Sequence, residues 1–545
     1  MPSPRLRRPS GIRLALLVST AALLLSACDS DPDAGMDRDL GFEGPEATLL
    51  NGDDVAAATF TVVASGEDAH VDDIVLLLND DDVTSDAAVT GTELNWAPGE
   101  LPDGEHEVAV LRTFEVEEGE EPREPEMLHT WTFAVDATPP EIEITAPDGA
   151  VVAGEPVTVA GTTEPGAAVE VEGESTTADD DGAWEIELPS APDGTLTIVA
   201  IDEAGNRSDD DLQIVTVASR VTAGEYRAAH LTGCAWGFPA LRDPVLEMVE
   251  SGQLNAVQLD LKDEDGIVNF DAQHDLAQTL RPEMTTGCTF NLEDAVTTLH
   301  DLGIPIIGRI VVYRDPVLVN WAWNNDLEEY ATQTADGDRW PSYGAGMANP
   351  ANADVNDYNI AIAEEAAKAG VDHILWDYIR RPEGPIENQR YPGLEGTIEE
   401  AIVDFVRQAD ERLAPYGVLH GASVFGIAAT RPLEIAQDIP AMSEYLDYVA
   451  PMVYPDHWGP GEYGLSNPNQ SPYEIVFESL KSFEEATEGT RARVIPWLGD
   501  FGSREMDAGQ YIRRQIDATT DNDLREFILW NAGSRYTVSA IPTLD

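Results

Sequence analysis

Alternation of apolar and polar residues dominates the chain from about residue 45 to 218. A period of two residues is typical of β-strands with one buried face, and turn residues separate the stretches at intervals of about eight to twelve residues. Stretches before a Thr-Pro-Pro joint at 138–140 predict a β-sandwich over residues 45–138, and those after it a second over 139–218. In order they read ATFTVVAS, DIVLLLN, HEVAVLRTF and HTWTFAVD, then EIEITAP, PVTVAGTT, AAVEVEG, AWEIELP and LTIVAIDEAGNRS. Neither segment gathers reactive side chains, so we interpret both as spacers, with sugar binding as the alternative.

From residue 222 to 545 apolar strands alternate with stretches of helical periodicity. Helical patterns such as NLEDAVTTLHDLG fill the intervals, and Gly303, Gly370 and Gly417 stand where helix C-caps belong. Eight strand–helix units in about 320 residues predict a (β/α)8 TIM barrel. A doubly wound open sheet is the alternative, but no Gly-rich phosphate loop follows the first strand. The predicted strands are 228–234, 256–262, 305–313, 373–380, 418–426, 448–455, 493–501 and 526–533.

The N-terminus has the pattern of a secretory signal peptide over residues 1–27. Four arginines between positions 5 and 13 lead into an apolar run at 14–25, too short to span a membrane. The sequence Leu-Ser-Ala-Cys at 25–28 resembles a bacterial lipobox, which implies cleavage before Cys28 and a lipid on its sulfur. A plain signal peptide with an incidental cysteine is the alternative. The acidic segment 28–44 is predicted to be a disordered tether, so we expect an extracytoplasmic, lipid-anchored protein at the membrane or cell surface.

The charge balance is strongly acidic, with 102 Asp and Glu against 31 Lys and Arg and a formal net charge of −71. Lysine occurs only at Lys262, Lys368 and Lys481. Such a surface repels nucleic-acid phosphates and anionic lipid head groups, which argues against both as partners. Solubility in a salty habitat, where screening removes the self-repulsion, explains the composition. A cation-binding surface is the alternative, although no EF-hand spacing supports it.

Two further cysteines, Cys234 and Cys288, lie in the predicted barrel. In an oxidising compartment they form either a disulfide or two buried thiols, and the sequence favours neither. Neither has a cysteine or histidine at metal-ligand spacing. The chain also lacks a Gly-x-Gly-x-x-Gly fingerprint, a P-loop and a His-Glu-x-x-His motif. We therefore predict no metal and no cofactor.

Polar and aromatic side chains follow the predicted strands at the ends where a TIM barrel places its active site. Because these ends converge on one face, residues far apart in the chain are expected to share a pocket. Carboxylates and arginines hydrogen-bond sugar hydroxyls, and aromatic faces pack on the C–H surfaces of sugar rings. This predicts a polysaccharide or oligosaccharide substrate. Apart from the acids, the predicted binding residues at strand ends are Lys262, Arg309, Tyr313, Tyr378, Arg380, Ser423, Tyr454, His457, Trp497, Asp500, Trp530 and Asn531.

Two loops rich in aromatic residues are predicted to form the walls of this pocket. The loop at 321–350 carries Trp321, Trp323, Trp340 and Tyr343, and the loop at 457–474 carries Trp458. Flat aromatic side chains in such number favour substrate contact over an inert connection.

Two basic residues inside apolar strands require a partner. Arg309 is costly to bury unless it is paired, so it is expected to orient a carboxylate. Lys262 either stabilises a carboxylate, binds a sugar hydroxyl or forms a structural salt bridge. A Schiff-base role would need a carbonyl substrate and an apolar pocket.

Five segments of the C-terminal region carry a resemblance. They read NAVQLDLKDEDGIVNFD, GIPIIGRIVVYRDPVL, YNIAIAEEAAKAGVDHILWDYIRRP, DYVAPMVYPDHWGPGEYGLSNPNQSPYEIV and VIPWLGDF. Together they resemble a glycoside hydrolase barrel family first catalogued as a domain of unknown function, from about residue 225 to the end. The resemblance implies a TIM barrel that cleaves glycosidic bonds. DYIRRP departs from the family's DYVRFP, which puts one subsite in doubt but keeps the aspartate. In the second sandwich, GTTEPGAAVEVEG, ADDDGAWEIELP and AIDEAGNRS resemble bacterial Ig-like domains.

The catalytic prediction centres on Asp377, which lies at the end of the fourth predicted strand. Glycoside hydrolysis needs a carboxylic acid and a second carboxylate, about 5–5.5 Å apart in retaining enzymes and about 6.5–9.5 Å in inverting ones. We expect Asp377 to be one of the pair, with Asp456, Asp260 and Glu264 as candidates for the other. A structural ion pair between Asp377 and a rim arginine is the alternative. The competing functions are a non-catalytic carbohydrate-binding barrel and a lyase or aldolase that uses Lys262.

Overall fold

The computed structural model describes residues 38–544, except 68, 115–122, 148, 193, 219, 220, 222, 223, 285–287, 345, 504 and 505. The predicted signal peptide, Cys28 and residues 28–37 of the predicted tether lie outside the described residues. The chain divides into two compact units. One comprises residues up to Pro139 with Glu203–Asn206, and the other comprises Pro140–Asp202 with Arg207 onward. The second unit contains both the second sandwich and the barrel.

The first unit is a β-sandwich of a four-stranded and a five-stranded sheet. Residues 38–43 were predicted to be part of a disordered tether, and that prediction is wrong. They form a strand antiparallel to Phe60–Gly66, because alternate residues Leu40 and Phe42 pack on the core. One sheet contains Arg38–Glu43, Phe60–Gly66, Glu93–Trp96 and Ala88–Val89; the other contains Leu49–Leu50, Glu126–Val135, Gly104–Arg112, Ile74–Leu78 and Asp81–Asp82; helical turns are Gly52–Ala57 and Thr84–Asp86.

The second sandwich shows the predicted alternation clearly. In Ala183–Leu188 every second residue is buried, and Trp184, Ile186 and Leu188 enter a core shared with Val159. Its sheets are Glu143–Ala146, Val157–Thr162 and Ala183–Leu188, and Glu174–Thr177, Ala168–Val171, Gly194–Ile201 and Arg207–Ile214, with a parallel pair of Val151–Val152 and Thr216–Val217.

Eight parallel strands close into a barrel, which confirms the predicted (β/α)8 fold. In chain order they pair with their neighbours, and the eighth also pairs with the first. We label them β1 Arg227–Leu231, β2 Ala256–Lys262, β3 Ile306–Val311, β4 His373–Asp377, β5 Leu419–Phe425, β6 Tyr448–Met452, β7 in two pieces Arg493–Val494 and Trp497–Gly499, and β8 Phe527–Trp530.

Helices surround the barrel and bury their apolar faces on it. Local signals explain several starts: Thr397 and Glu400, for example, form a capping box before Ile398–Leu413. The helices are Gly233–Trp236, Pro239–Glu250, Asp275–Met284, Leu292–Asp301, Pro316–Asn324, Ala353–Lys368, Ile398–Leu413, Ile439–Ser443, Pro472–Thr487 and Ala508–Asp521. Shorter 3-10 turns are Glu328–Tyr330, Ile386–Asn388, Ala414–Tyr416, Pro432–Glu434, Pro455–His457, Glu462–Gly464, Pro468–Gln470 and Val538–Ala540, and a small antiparallel pair joins Gln333–Thr334 to Gln389–Arg390.

Two apolar layers hold the barrel together. Side chains such as Ile307, Leu375 and Trp497 fill the lumen, while the outward residues of the same strands pack under the helices. A bulge interrupts this alternation on β2: Asp260 pairs with Arg309, but Lys262 pairs with the next residue, Ile310. The two neighbours of Leu261 therefore point in different directions.

Cys234 and Cys288 form a disulfide in the structure. It joins the short helix after β1 to the segment before Leu292–Asp301, and it decides between the two alternatives that the sequence left open.

Among the helices of the described residues, none has both the length and the apolar character to cross a bilayer.

Candidate active site

The guanidinium of Arg309 holds three carboxylates together where β2, β3 and β4 end. Its Nε donates to Asp377 Oδ2 at 2.8 Å, and its Nη1 donates to Asp260 Oδ1 at 2.8 Å. Its Nη2 lies 2.6 Å from Glu264 Oε1. Burying an arginine costs free energy unless its positive charge is paired. Here the one guanidinium pairs with three carboxylates. The group opens to solvent through Glu264, whose side chain is 31% exposed.

The shared nitrogen fixes the separation of two of these carboxylates. Asp377 Oδ2 lies 2.7 Å and Glu264 Oε1 2.6 Å from Arg309 Nη2. The two oxygens are therefore at most about 5.3 Å apart, which is closer than the about 6.5–9.5 Å separation of inverting glycosidases. A bidentate or shared arginine contact is also the geometry that orients carboxylates most strongly.

Asp260 is the most buried member of the group, with no exposed surface. His230 Nε2, from β1, lies 3.1 Å from Asp260 Oδ1. Burial alone would raise the pKa of Asp260, but the charges of His230 and Arg309 outweigh it and lower the pKa to about 2. Asp260 is thus a fixed negative charge below the pocket.

Two atoms of this pair have no hydrogen-bond partner among the described residues: Asp260 Oδ2 and His230 Nδ1. Both are buried, and a buried polar atom without a partner is costly. Asp260 Oδ2 and His230 Nδ1 can therefore each form a further hydrogen bond on the lumen side of the cluster.

Glu264 and its neighbour Asp263 have pKa values shifted in opposite directions. Burial acts to raise the pKa of Glu264, but Arg309 outweighs it and leaves that pKa below its usual range. Burial raises the pKa of Asp263 to about 6, and the charge of Asp260 adds to this effect. Asp263 Oδ1 accepts from the backbone nitrogens of Asp265 and Ile267, which fixes the turn that carries Glu264.

The residue after Asp377 has an unusual backbone conformation. Tyr378 has a φ of 54°, in the left-handed region that non-glycine residues rarely occupy. This turns its N–H towards Asp377 Oδ1, to which it donates at 2.7 Å. Backbone strain of this kind concentrates at functional sites. Asp377 Oδ1 is held by this N–H and Oδ2 by Arg309, so the carboxylate has a defined orientation.

An aromatic wall from β6 and β8 stands next to the carboxylates. Tyr454 stacks on Trp530 with ring centroids 5.3 Å apart, and His457 meets Tyr454 edge-on at 5.1 Å. Burial raises the pKa of Tyr454, and the charge of Asp377 raises it further, which places the phenol near that aspartate. This wall offers flat apolar surface beside the acids.

A second wall combines aromatic rings with arginines beside β4. Arg380 Nη2 contacts Tyr343 Oη at 2.5 Å and Glu383 Oε1 at 2.9 Å. The guanidinium of Arg380 also lies over the ring of Tyr378, 5.0 Å from its centroid. Trp340, from the predicted loop wall, packs over Gly384, where a β-carbon would come within 3.0 Å of the indole.

The prediction that Lys262 and Tyr313 bind substrate is not supported by their positions. The bulge on β2 turns Lys262 outward, where its Nζ lies 2.7 Å from Asp315 Oδ2 and donates to Asn359 Oδ1 at 2.8 Å. Lys262 is fully buried there, as a structural salt-bridge lysine. Tyr313, beyond the end of β3, donates to Asn356 Oδ1 in the same outer layer. Neither side chain can reach a substrate at the mouth.

Several other predicted binding residues close the barrel instead. Trp497 Nε1 donates to Ser423 Oγ at 3.0 Å inside the lumen. Asp500 accepts from the hydroxyl of Thr537 at 2.8 Å, and Asn531 Nδ2 donates to the Asp500 carbonyl at 2.6 Å. The first contact joins β7 to β5 across the lumen, and the other two tie the ends of β7 and β8 together, so we assign these residues to the support of the pocket.

The loop aromatics are similarly divided between surface and core. Trp458 is buried against Gly426, where an added β-carbon would lie 2.7 Å from its ring. Trp321 and Trp323 belong to the helix Pro316–Asn324 and pack on the core. Of the predicted loop wall, Tyr343 is the residue that stays well exposed, at 40%.

Asp456, the first candidate for the partner carboxylate, stands apart from the cluster. It is exposed in the turn Pro455–His457. Its charge acts on the phenol of Tyr511, whose pKa burial and Asp456 raise together. Among the described residues, no hydrogen bond or ion pair joins Asp456 to Asp377 or Arg309.

Two residues of this site, His230 and Arg314, are not among those predicted from the sequence. His230 follows two alanines in β1 and has the same parity as the inward residues, a signal that was present in the sequence. Arg314 comes three residues after β3, where its direction depends on the loop. Within the described ranges, no group of His, Cys, Asp and Glu is arranged to hold a metal ion.

Comparisons with known proteins found family models and solved structures to which the chain is similar. Residues 145–216 match the bacterial Ig domain model, which confirms that resemblance. A solved hypothetical protein from Ruminiclostridium thermocellum ATCC 27405 is 28% identical, with 36% of this chain and 96% of that chain covered and a TM-score of 0.31. The PgaB (BpsB) glycoside hydrolase domain from Bordetella bronchiseptica is 14% identical, with 57% and 95% covered and a TM-score of 0.38. A chitinase from Chromobacterium violaceum ATCC 12472 is 12% identical, with 58% and 98% covered and a TM-score of 0.35.

None of the curated proteins matches the chain. Residues 228–536, more than half of the sequence, match the family model described as "Putative glycosyl hydrolase domain". This span begins in β1 and ends after β8, so it includes the whole barrel and every residue of the Arg309 cluster. The chain therefore belongs to this glycosyl hydrolase domain family, as its motifs predict.

Proposed function

We propose that the barrel hydrolyses glycosidic bonds of a polysaccharide with Asp377 and Glu264 as the carboxylate pair. The observation that carries this proposal is the spacing of at most about 5.3 Å between Asp377 Oδ2 and Glu264 Oε1, set by their shared contact with Arg309 Nη2. This spacing favours a retaining reaction. The aromatic wall of Tyr454 and Trp530 supports a sugar as the ligand.

In this proposal Asp377 is the nucleophile. It is held in one orientation by Arg309 and by the N–H of Tyr378, so an oxygen can be aimed at the anomeric carbon. Glu264 is the acid/base because it is the member of the cluster that reaches solvent. Its proton goes to the departing glycosidic oxygen, and in the second step it takes a proton from the water that releases the sugar from Asp377.

The test is to measure new reducing ends from a panel of bacterial and plant polysaccharides. Asp377→Asn and Glu264→Gln should each lower kcat by about 10²–10⁴-fold while oligosaccharide binding persists. Asp456→Asn is the matched control, since it removes a carboxylate that has no contact with the cluster, and its activity should stay within about twofold of wild type. Binding without any turnover in the wild-type protein would instead support the non-catalytic alternative.

The pH profile of kcat/KM shows whether Glu264 or the neighbouring Asp263 is the general acid. A general acid must be protonated, so the rate falls as pH rises through its pKa. With Glu264 as the acid, kcat/KM should fall above a pKa lower than the usual 4.5. If kcat/KM falls only above about 6, Asp263 is the proton donor and the assignment of Glu264 is wrong.

For location, we propose a lipid-anchored extracytoplasmic protein, in which the two sandwiches hold the barrel away from the membrane. The signal pattern at 1–27 and the lipobox at Cys28 support this proposal, and so does the disulfide, which suits an oxidising compartment. Metabolic labelling with a fatty-acid analogue should mark the wild-type protein and spare Cys28→Ala. Equal labelling of both would contradict the proposal.

A further inference from the structure

Arg314 presents a positive charge at the mouth, and no carboxylate of the described residues pairs with it. Its Nη1 donates to Tyr378 Oη at 2.9 Å, and its guanidinium lies over the rings of Tyr343 and Tyr378, 4.5 and 5.3 Å from their centroids. Its Nε is buried and has no hydrogen-bond partner in the part of the chain that the structure describes. Among the ion pairs of the described residues, none involves Arg314.

The two neighbouring arginines differ from Arg314 because both have carboxylate partners. Arg309 is paired with three carboxylates, and Arg380 is paired with Glu383 at 2.9 Å. The next residue, Asp315, is buried in its pair with Lys262 and faces the other side of the strand layer. Acidic residues outnumber basic ones 102 to 31. In so acidic a chain, an arginine is expected to have a carboxylate of the protein as its partner. We infer that the missing counter-charge belongs to the ligand.

The position of Arg314 relates this charge to the reaction centre. Arg314 holds the phenol of Tyr378, and Tyr378 directly follows Asp377, the proposed nucleophile. A charged group bound to Arg314 would therefore lie on the sugar at the cleaved bond or on its neighbour. Tyr343, which covers the guanidinium, is 40% exposed and is thus accessible to a chain lying in the mouth.

We propose that the substrate is an acidic polysaccharide containing uronic acid residues, and that Arg314 binds one of their carboxylates. A guanidinium matches the planar carboxylate and forms charge-assisted hydrogen bonds with it. The exposed ring of Tyr343 provides apolar surface for a sugar beside that contact. This inference rests on the proposed glycosidase function and specifies its substrate class.

The net charge of −71 does not prevent such binding at high ionic strength. At about 1 M salt the Debye length is about 3 Å, so repulsion between the acidic surface and an acidic polymer is largely screened. A short-range contact with a partly buried arginine is screened much less. The experiment is therefore done at about 1 M NaCl.

The substrates for the experiment are polygalacturonate, alginate and glucuronan, each paired with its carboxyl-reduced form, in which a primary alcohol replaces the carboxylate. Wild type should cleave at least one acidic polymer faster than its reduced form. Arg314→Met should lower the ratio of kcat/KM between the two forms by about ten- to hundredfold. Arg407→Met, which removes the same charge from the exposed outer helix, should leave the ratio unchanged. If Arg314→Met lowers kcat/KM equally on the acidic and the carboxyl-reduced polymer, or lowers it on neither, the inference is overturned.

A binding measurement keeps this inference separate from the proposed function. Uronate oligosaccharides should bind Asp377→Asn, and adding Arg314→Met should weaken that binding by about ten- to hundredfold. If this holds while the wild-type protein cleaves nothing, the carboxylate site stands and the hydrolase proposal fails. If the wild type cleaves neutral polymers and binds no uronate oligosaccharide, the hydrolase proposal stands and the carboxylate site fails.

Discussion

Two buried clusters of charge begin on the same strand and serve different purposes. Asp260 and Lys262 are separated by one residue on β2, and both are completely buried. Asp260 joins Arg309 in the lumen, whereas Lys262 joins Asp315 under the helix Ala353–Lys368. Burial of charge is thus equal in the two places, and it does not by itself identify the active site.

The clusters differ in their access to solvent. In the outer cluster, Lys262 Nζ contacts Asp315, the Asn359 side chain and the Val311 carbonyl, and no part of the pair reaches solvent. Among the described residues, each cluster holds a buried carboxylate oxygen without a hydrogen-bond partner, Asp260 Oδ2 in the lumen and Asp315 Oδ2 outside it, but the lumen cluster also reaches solvent through Glu264. A charged cluster with access to solvent can receive a substrate, while a closed one stabilises the fold.

Arg309→Met should have the largest effect, because it removes the one cation that three carboxylates share. We expect a loss of about 3–5 kcal/mol in the free energy of unfolding and at least a hundredfold loss in kcat/KM, since the carboxylates lose their fixed positions. Without Arg309 the pKa values of Asp260 and Glu264 rise, so the stability deficit should shrink as pH falls. Chemical denaturation at several pH values measures the first effect, and the reducing-end assay measures the second. Arg309→Lys should recover more stability than activity; recovery of full activity would contradict the positioning role.

Lys262→Met should be almost as destabilising and yet leave catalysis intact. It leaves Asp315 buried without its counter-charge, at a cost of about 3–5 kcal/mol. The double variant Lys262→Met with Asp315→Asn should recover part of that stability, because the remaining amide is neutral and can still cap the helix at Leu318. The activity of the folded fraction should remain at the wild-type level in both variants. A drop in kcat/KM without a loss of stability would show instead that Lys262 acts in catalysis or substrate binding.

Asp263→Asn should produce the smallest change, and it should depend on pH. In the folded protein the pKa of Asp263 is raised to about 6 from 3.8, so the wild type loses stability as pH rises through this window. The variant does not titrate there. Its stability relative to wild type should therefore increase by about 1–3 kcal/mol between pH 4 and pH 7.5. Urea denaturation at the two pH values tests this, and an unchanged difference would show that Asp263 titrates normally.

The layout of the chain follows from its pattern of apolar and polar residues. Alternating residues predict two sandwiches, and strand–helix repetition predicts the barrel, because these periods reflect which side of each element is buried. The same reasoning placed Asp260, Arg309 and Asp377 at strand ends on one face, since parallel strands of a barrel must all end there. It failed at 38–43, where only two apolar residues mark an edge strand within an acidic segment.

Which of these residues contact one another depends on the three-dimensional fold. The bulge after Asp260 reverses the parity of β2, and strict alternation therefore placed Lys262 in the pocket although it lies outside. The positions of Glu264, Asp456 and Arg314 depend on loops, whose paths no periodic pattern encodes. Pairing is a property of distances in space, so the sequence could supply the candidate acids but could not show that Glu264, and not Asp456, shares Arg309 with Asp377.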